Sequence, residues 1–209
     1  MLSEKIFAIA EYADQFVLFV LLLLSIISIG IIFERYFFLK KVSSESERIR
    51  ARVRLALQSH SVQDFEDIAK DPSSVEGRVA GYASKHLRES GLKGFEEVFN
   101  AFVLTEKPEL EKFLNFLATI GSNAPYIGLL GTVLGIMKAF NDLAVTPEAG
   151  QQTVMAGISV ALIATAAGLF VAIPAVIFFN FFKRKVTAIL QNVESVKELG
   201  IAFAKKKGL

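Results

Sequence analysis

Cysteine and tryptophan are absent from this 209-residue chain, and histidine occurs only twice. Without cysteine there is no disulfide framework, no thiol nucleophile and no thiolate-ligated metal site. The two histidines, His60 and His86, stand alone in a polar segment, so a surface or packing role suits them far better than a metal or proton role. Charge of one sign is not in excess either: 23 lysines and arginines face 21 aspartates and glutamates. That near balance argues against a nucleic-acid binder and against a self-repelling disordered tail. No metal-ligand cluster and no nucleophile–base set stands out, so the chain does not read as an enzyme.

What the chain does have is apolar length. Hydrophobic residues make up 53% of it and the mean hydropathy is positive, which is the composition of an integral membrane protein with a polar part. Three apolar runs reach spanning length for a ~30 Å hydrocarbon layer: Phe16 to Phe33, Phe113 to Met137 and Val154 to Phe182. Ahead of the first, Glu4, Glu11 and Asp14 outnumber Lys5 and no small-residue cleavage site follows, so it reads as a retained span rather than a signal peptide.

Orientation is read from lysine and arginine. One, Lys5, precedes the first span; fourteen lie between Glu34 and Lys112; none lies between Asn141 and Val154; seven follow Phe182. The expected layout is an outer, periplasmic segment 1–15, a first transmembrane helix 16–33, a cytoplasmic helical domain 34–112, a second transmembrane helix 113–140, a periplasmic loop 141–153, a third transmembrane helix 154–182 and a cytoplasmic C-terminal helix 183–209. The fold class expected is all-α, with long helices extended into the cytoplasm.

The segment 34–112 carries 14 acidic and 14 basic residues, the balance of a solvated, salt-bridged domain rather than a lipid-binding patch. Ser61 before "VQDFEDIAK" and Pro72 opening "PSSVEGRVAGYASKHLRES" are helix-start signals, and Gly91 and Gly94 are punctuation. After the third span, Val186, Ile189, Leu190, Val193 and Val196 keep a helical apolar stripe that extends the third helix and packs on the long segment.

"GLLGTVLG", residues 128–135, is glycine-rich but lacks the Gly-Lys-Ser/Thr ending and the preceding strand of a phosphate-binding loop. It belongs to a stripe of small residues, Ala124, Gly128, Thr132 and Gly135, overlapped by Gly131-x-x-x-Gly135. The third span has its own stripe in Ala161, Thr165, Gly168, Ala172 and Ala175. Such faces let another helix approach closely, and plain helix packing explains the spacing by itself.

Depth adds a second possibility. Thr132 lies six residues before Lys138 and Thr165 eleven after Val154, on antiparallel spans. At ~1.5 Å per residue both hydroxyls fall about 10–15 Å below the outer surface, where they can line a narrow polar site without charge. The three runs hold no Asp, Glu, His, Lys or Arg, and coupling protons to motion across a membrane typically needs such a group. If protons are handled here, another chain supplies the carboxylate.

"NAPYIGLLGTVLGIMKAF", residues 123–140, and "GISVALIATAAGLFVAIPAVIFFN", residues 157–180, resemble the MotA/TolQ/ExbB proton channel family, and three spans resemble its ExbB/TolQ branch. The resemblance implies a multi-pass protein of the bacterial inner membrane, N-terminus periplasmic and C-terminus cytoplasmic. It implies a homo-oligomer, a pentamer, whose second and third spans surround a pore for H+. Inside stand two copies of a single-span partner of ExbD, TolR or MotB type that brings an intramembrane aspartate, with a TonB- or TolA-like protein downstream. Membrane lipids are the surroundings; no cofactor, no metal and no nucleic acid is implied.

The family's two pore threonines map onto Thr132 and Thr165, as the proton pathway. Ala124, Pro125, Gly128, Gly131, Gly135, Ala161, Gly168, Ala172 and Pro174 fall in the matched motifs as pore-lining or helix-packing positions. One residue departs: relatives of the best-known type carry glutamate where this chain has Val160. The alternative reading is a passive oligomeric membrane scaffold without ion conduction.

Overall fold

A computed structural model describes residues 2–59, 63–145 and 150–208. They form six helices: α1 Leu2–Ser59, α2 Gln63–Ala69, α3 Val75–Ser90, α4 Phe95–Leu110, α5 Leu114–Val145 and α6 Gly150–Lys207. No strand occurs among the described residues, and three helices are long and apolar enough to cross a membrane. The chain is an all-α integral membrane protein. α1 and α6 each have 58 residues, about 85 Å of helix at ~1.5 Å per residue, against a hydrocarbon layer of ~30 Å. Each must therefore leave the membrane as helix.

The chain divides into two compact units, residues 1–33 with 113–180, and residues 34–112 with 181–209. In the first, α1 turns Val17, Leu21, Ser28 and Ile32 inward at helical spacing, while Phe16, Phe19, Ile26 and Ile29 are exposed. Such an apolar exterior belongs in lipid.

The second unit has a water-soluble kind of core. Leu39, Ile49 and Val53 of α1, Phe65 and Ile68 of α2, Val79 and Leu87 of α3, and Phe95 and Phe99 of α4 are buried with Val186, Ile189, Val193, Val196 and Phe203 of α6. Leu190, the remaining member of the apolar stripe on α6, is half-buried. The rings of Phe65 and Phe203 lie 5.4 Å apart. Ion pairs tie the surface: Arg48–Asp71 at 2.6 Å, Lys183–Glu111 at 2.6 Å and Lys207–Glu66 at 2.8 Å.

Helix ends follow local chemistry. α3 begins at Val75, later than Pro72 suggests, because Ser74 is the cap: its Oγ accepts from the Gly77 N–H at 3.0 Å. Gly91 closes α3 at φ 67° and donates to the Leu87 carbonyl at 3.1 Å, and Gly94 opens α4 at φ 74°. A Cβ strains such left-handed backbone, which is why glycine stands there. His60 and Ser61 lie outside the described residues. The His86 ring is structural, its Nε2 2.8 Å from the Lys93 carbonyl.

Candidate functional site: the α5–α6 crossing

The small-residue faces of α5 and α6 meet each other. A Cβ on Gly128 would fall 2.6 Å from the Ala164 carbonyl oxygen and 3.1 Å from the Cα atoms of Gly168 and Thr165. One on Gly168 would fall 2.6 Å from the Ala124 carbonyl oxygen, and one on Gly135 2.7 Å from the Ala161 Cβ. Backbone thus lies on backbone, as small-residue faces permit in membranes. Gly131 serves a second contact, since its Cβ would sit 2.8 Å from both Ala164 Cβ and Val17 Cγ1. Ala124, Ala161 and Ala172 are buried along this crossing, and Pro125 and Pro174 lie half-buried inside α5 and α6.

The two threonines come together at the centre. Thr132 Oγ1 and Thr165 Oγ1 are 2.5 Å apart. Thr132 Oγ1 also lies 3.1 Å from the Ala161 carbonyl oxygen and 3.3 Å from that of Gly128, and Thr165 Oγ1 lies 3.4 Å from the Gly128 carbonyl oxygen. Two hydroxyl hydrogens are shared among these acceptors, so either threonine can donate to the other while its neighbour donates to a carbonyl. The direction of the pair is reversible. Thr132 is buried and Thr165 half-buried, which leaves one side of the pair reachable.

Spacing had marked most of this crossing but stopped short at both ends. A Cβ on Gly121 would meet Val176 Cγ2 at 2.6 Å, and one on Gly157 would meet Ala139 Cβ at 2.7 Å. Each continues its stripe by one helical step, three residues before Ala124 and four before Ala161. Carrying the same period one step further would have found them. Val160 is half exposed and lines, with Gly135, Lys138, Asp142 and Thr153, a small cavity of about 300 Å³ toward the C-terminal end of α5. No cluster of metal-ligand type exists among the described residues.

Comparison with known proteins decides the family. Residues 72–195, more than half of the chain, match the MotA/TolQ/ExbB proton channel family. The chain belongs to that family. As a MotA/TolQ/ExbB protein it has relatives of both branch names. The Tol-Pal system protein TolQ of Pseudomonas aeruginosa is 49% identical over 94 residues, 45% of this chain and 41% of that protein. The biopolymer transport protein ExbB of Aquifex aeolicus is 46% identical over 100 residues, 48% and 67% of the two chains. A biopolymer transport protein ExbB of Xanthomonas campestris pv. campestris is 34% identical over 142 residues, 62% and 56%. The match spans less than half the length of the TolQ relatives, 41% and 46%.

Proposed function

We propose that this protein is the inner-membrane subunit of a motor driven by the proton-motive force. Several copies, five by analogy with its family, surround a pore, and α5 and α6 of each copy face it. Inside stands a single-span subunit of ExbD or TolR type, in two copies, whose aspartate carries H+ past Thr132 and Thr165. The energy passes to a TonB- or TolA-like protein acting on the cell envelope. The N-terminus is then periplasmic and the C-terminus cytoplasmic.

The hydroxyl pair carries this reading. An uncharged site in hydrocarbon that exchanges the direction of its hydrogen bond can accept from a carboxylic acid and donate to a carboxylate, so it serves both protonation states of a visiting aspartate. The chain itself brings no carboxylate, histidine, lysine or arginine between Phe113 and Met137, so the acid must come from a partner.

The passive-scaffold reading draws on the same contacts, because both hydroxyls already have partners within the chain. Thr132→Val and Thr165→Val separate the two. Valine keeps the β-branched shape, and loss of one interhelical hydrogen bond costs only ~0.6–1.7 kcal/mol, so the complex should still assemble. Proton flux through the reconstituted complex should fall at least roughly tenfold, while Thr→Ser versions retain most of it. Full flux in both valine variants, at normal complex yield, would leave a packing motif and no proton site.

A further inference from the structure

α5 exposes a second, polar face that the threonine pair does not use. Asn115, Thr119, Ser122, Asn123 and Tyr126 are all exposed and stand at steps of four, three, one and three residues, within about a quarter-turn of helix. This face points away from Gly121, Ala124 and Gly128, which are buried against α6. Further along α5 the exposed side becomes apolar, with Leu129, Leu130, Val133 and Phe140. One helix side is thus polar over its first half and apolar over its second.

Such a face does not belong in acyl chains. Asn123 lies nine residues into α5, about 14 Å along its axis at ~1.5 Å per residue, where a polar group turned to lipid is costly. The donors of the middle three are turned back onto the helix: Thr119 Oγ1 donates to the Asn115 carbonyl at 2.9 Å, Ser122 Oγ to the Thr119 carbonyl at 3.1 Å, and Asn123 Nδ2 to the same carbonyl at 2.8 Å and to Ser122 Oγ at 3.2 Å. Thr119, Ser122 and Asn123 turn mainly oxygen lone pairs outward, and Asn115 and Tyr126 add an amide and a phenol that both donate and accept. Such a row of polar groups suits water, which donates and accepts anywhere; an apolar helix laid on it would leave them unmatched.

We propose that this face is wetted, lining a water-filled vestibule that enters the pore from the end where α5 begins and closes at the apolar turn of Leu129 and Leu130. The proposal rests on the proton-channel reading and adds its hydrated compartment, through which protons passing the threonine pair exchange with bulk water. Water there needs no charged side chain, in keeping with the absence of one from Phe113 to Met137.

The absence of cysteine from the chain makes the test clean. Single cysteines replace Thr119, Asn123 or Tyr126, with Ile26→Cys on the exposed side of α1 as the lipid-facing reference. Each complex, with its partner subunit, is assayed in inverted membrane vesicles with an impermeant cationic methanethiosulfonate, and adduct mass on this chain is followed in time. Only thiolate reacts, and hydrocarbon suppresses thiolate tenfold for each unit by which it raises the thiol pKa, so the three α5 positions should label roughly tenfold faster or more than Ile26→Cys. Rates equal to the reference would overturn the vestibule. So would disulfide bonds between copies at Asn123→Cys in place of labelling, which would make the face a contact between subunits. Fast labelling together with full flux in Thr132→Val upholds the vestibule and removes the threonine mechanism; slow labelling with impaired flux in Thr132→Val does the reverse.

Discussion

At the scale of single residues, Glu76 is the group whose environment departs most from its position in the sequence. It stands in the first turn of α3, where an acid is favoured by the helix N-terminus, and composition alone places it on a solvated face. Instead it is fully buried: Ser46 of α1 donates to its Oε1, Asn192 of α6 donates to Ser46 Oγ at 2.7 Å, and Oε2 has no partner among the described residues. Only the contact of three elements distant in sequence makes that environment, which is why local pattern missed it. Burial pushes the Glu76 carboxyl above the ordinary carboxylate range, partly opposed by the Ser46 hydrogen bond and by the Arg78 charge. A carboxyl raised in the folded state binds more protons folded than unfolded, so it subtracts stability as pH rises from its unfolded value through its folded one. Purified protein should therefore melt at lower temperature as pH rises above the ordinary carboxylate range, and Glu76→Gln should flatten that slope while matching or exceeding wild type at its upper end. An unchanged slope in the variant would assign the pH dependence to other groups.

At the scale of elements, the period of the small residues said that a helix comes close, but not which helix. The stripes on α5 and α6 were open to a partner from another chain as much as to each other; spacing encodes the width of a groove and not the identity of what fills it. The structure spends both faces on the α5–α6 contact within one chain. The consequence is a sharper substitution test than a bulky side chain gives. At Gly128 and Gly168 even a methyl group would lie 2.6 Å from a backbone carbonyl oxygen, so relief requires a helix to move. Gly128→Ala and Gly168→Ala should lower stability by about 1–3 kcal/mol. Gly30, in α1, has nothing within 4 Å of an added Cβ, and Gly30→Ala should be neutral or stabilise by about 0.5–1 kcal/mol through helix propensity. Thermal unfolding of the three purified proteins checks the order, and equal effects at all three would deny the close crossing. The helix starts repeat the lesson on a smaller scale: Pro72 read as the start signal, but Ser74, whose hydroxyl reaches the Gly77 N–H, set the boundary.

At the scale of the whole molecule, hydropathy marks three apolar runs but not the extent of the helices that contain them. It marks residues 16–33 where α1 runs Leu2–Ser59, and 154–182 where α6 runs Gly150–Lys207, because apolar runs report what lipid dissolves while a helix continues wherever its side chains find partners. Buried Leu39, Ile49 and Val53 and buried Val186, Ile189, Val193, Val196 and Phe203 supply those partners in the second unit. Assembly, by contrast, has no such signature, and follows from closure. One copy offers a single α5–α6 pair, with the polar side of α5 open and Leu129, Leu130, Val133 and Phe140 exposed beside it. Three spanning helices, two of them joined along their glycine faces, cannot enclose a proton path by themselves. On the proposed function, several copies, or copies with a partner, would close around that path, and a ring of like copies would do so by repeating one contact. Native mass spectrometry of the complex released from membranes should therefore show a fixed multiple of the 22.9 kDa chain, five on the family's pattern, with a smaller acidic-residue-bearing subunit retained. Gly128→Leu, which separates α5 from α6, should lower the yield of that assembly, whereas Thr132→Val should leave its mass unchanged and reduce only its proton flux. A single copy that conducts protons would end the argument from closure, and a fixed multiple other than five would correct the count while leaving the ring.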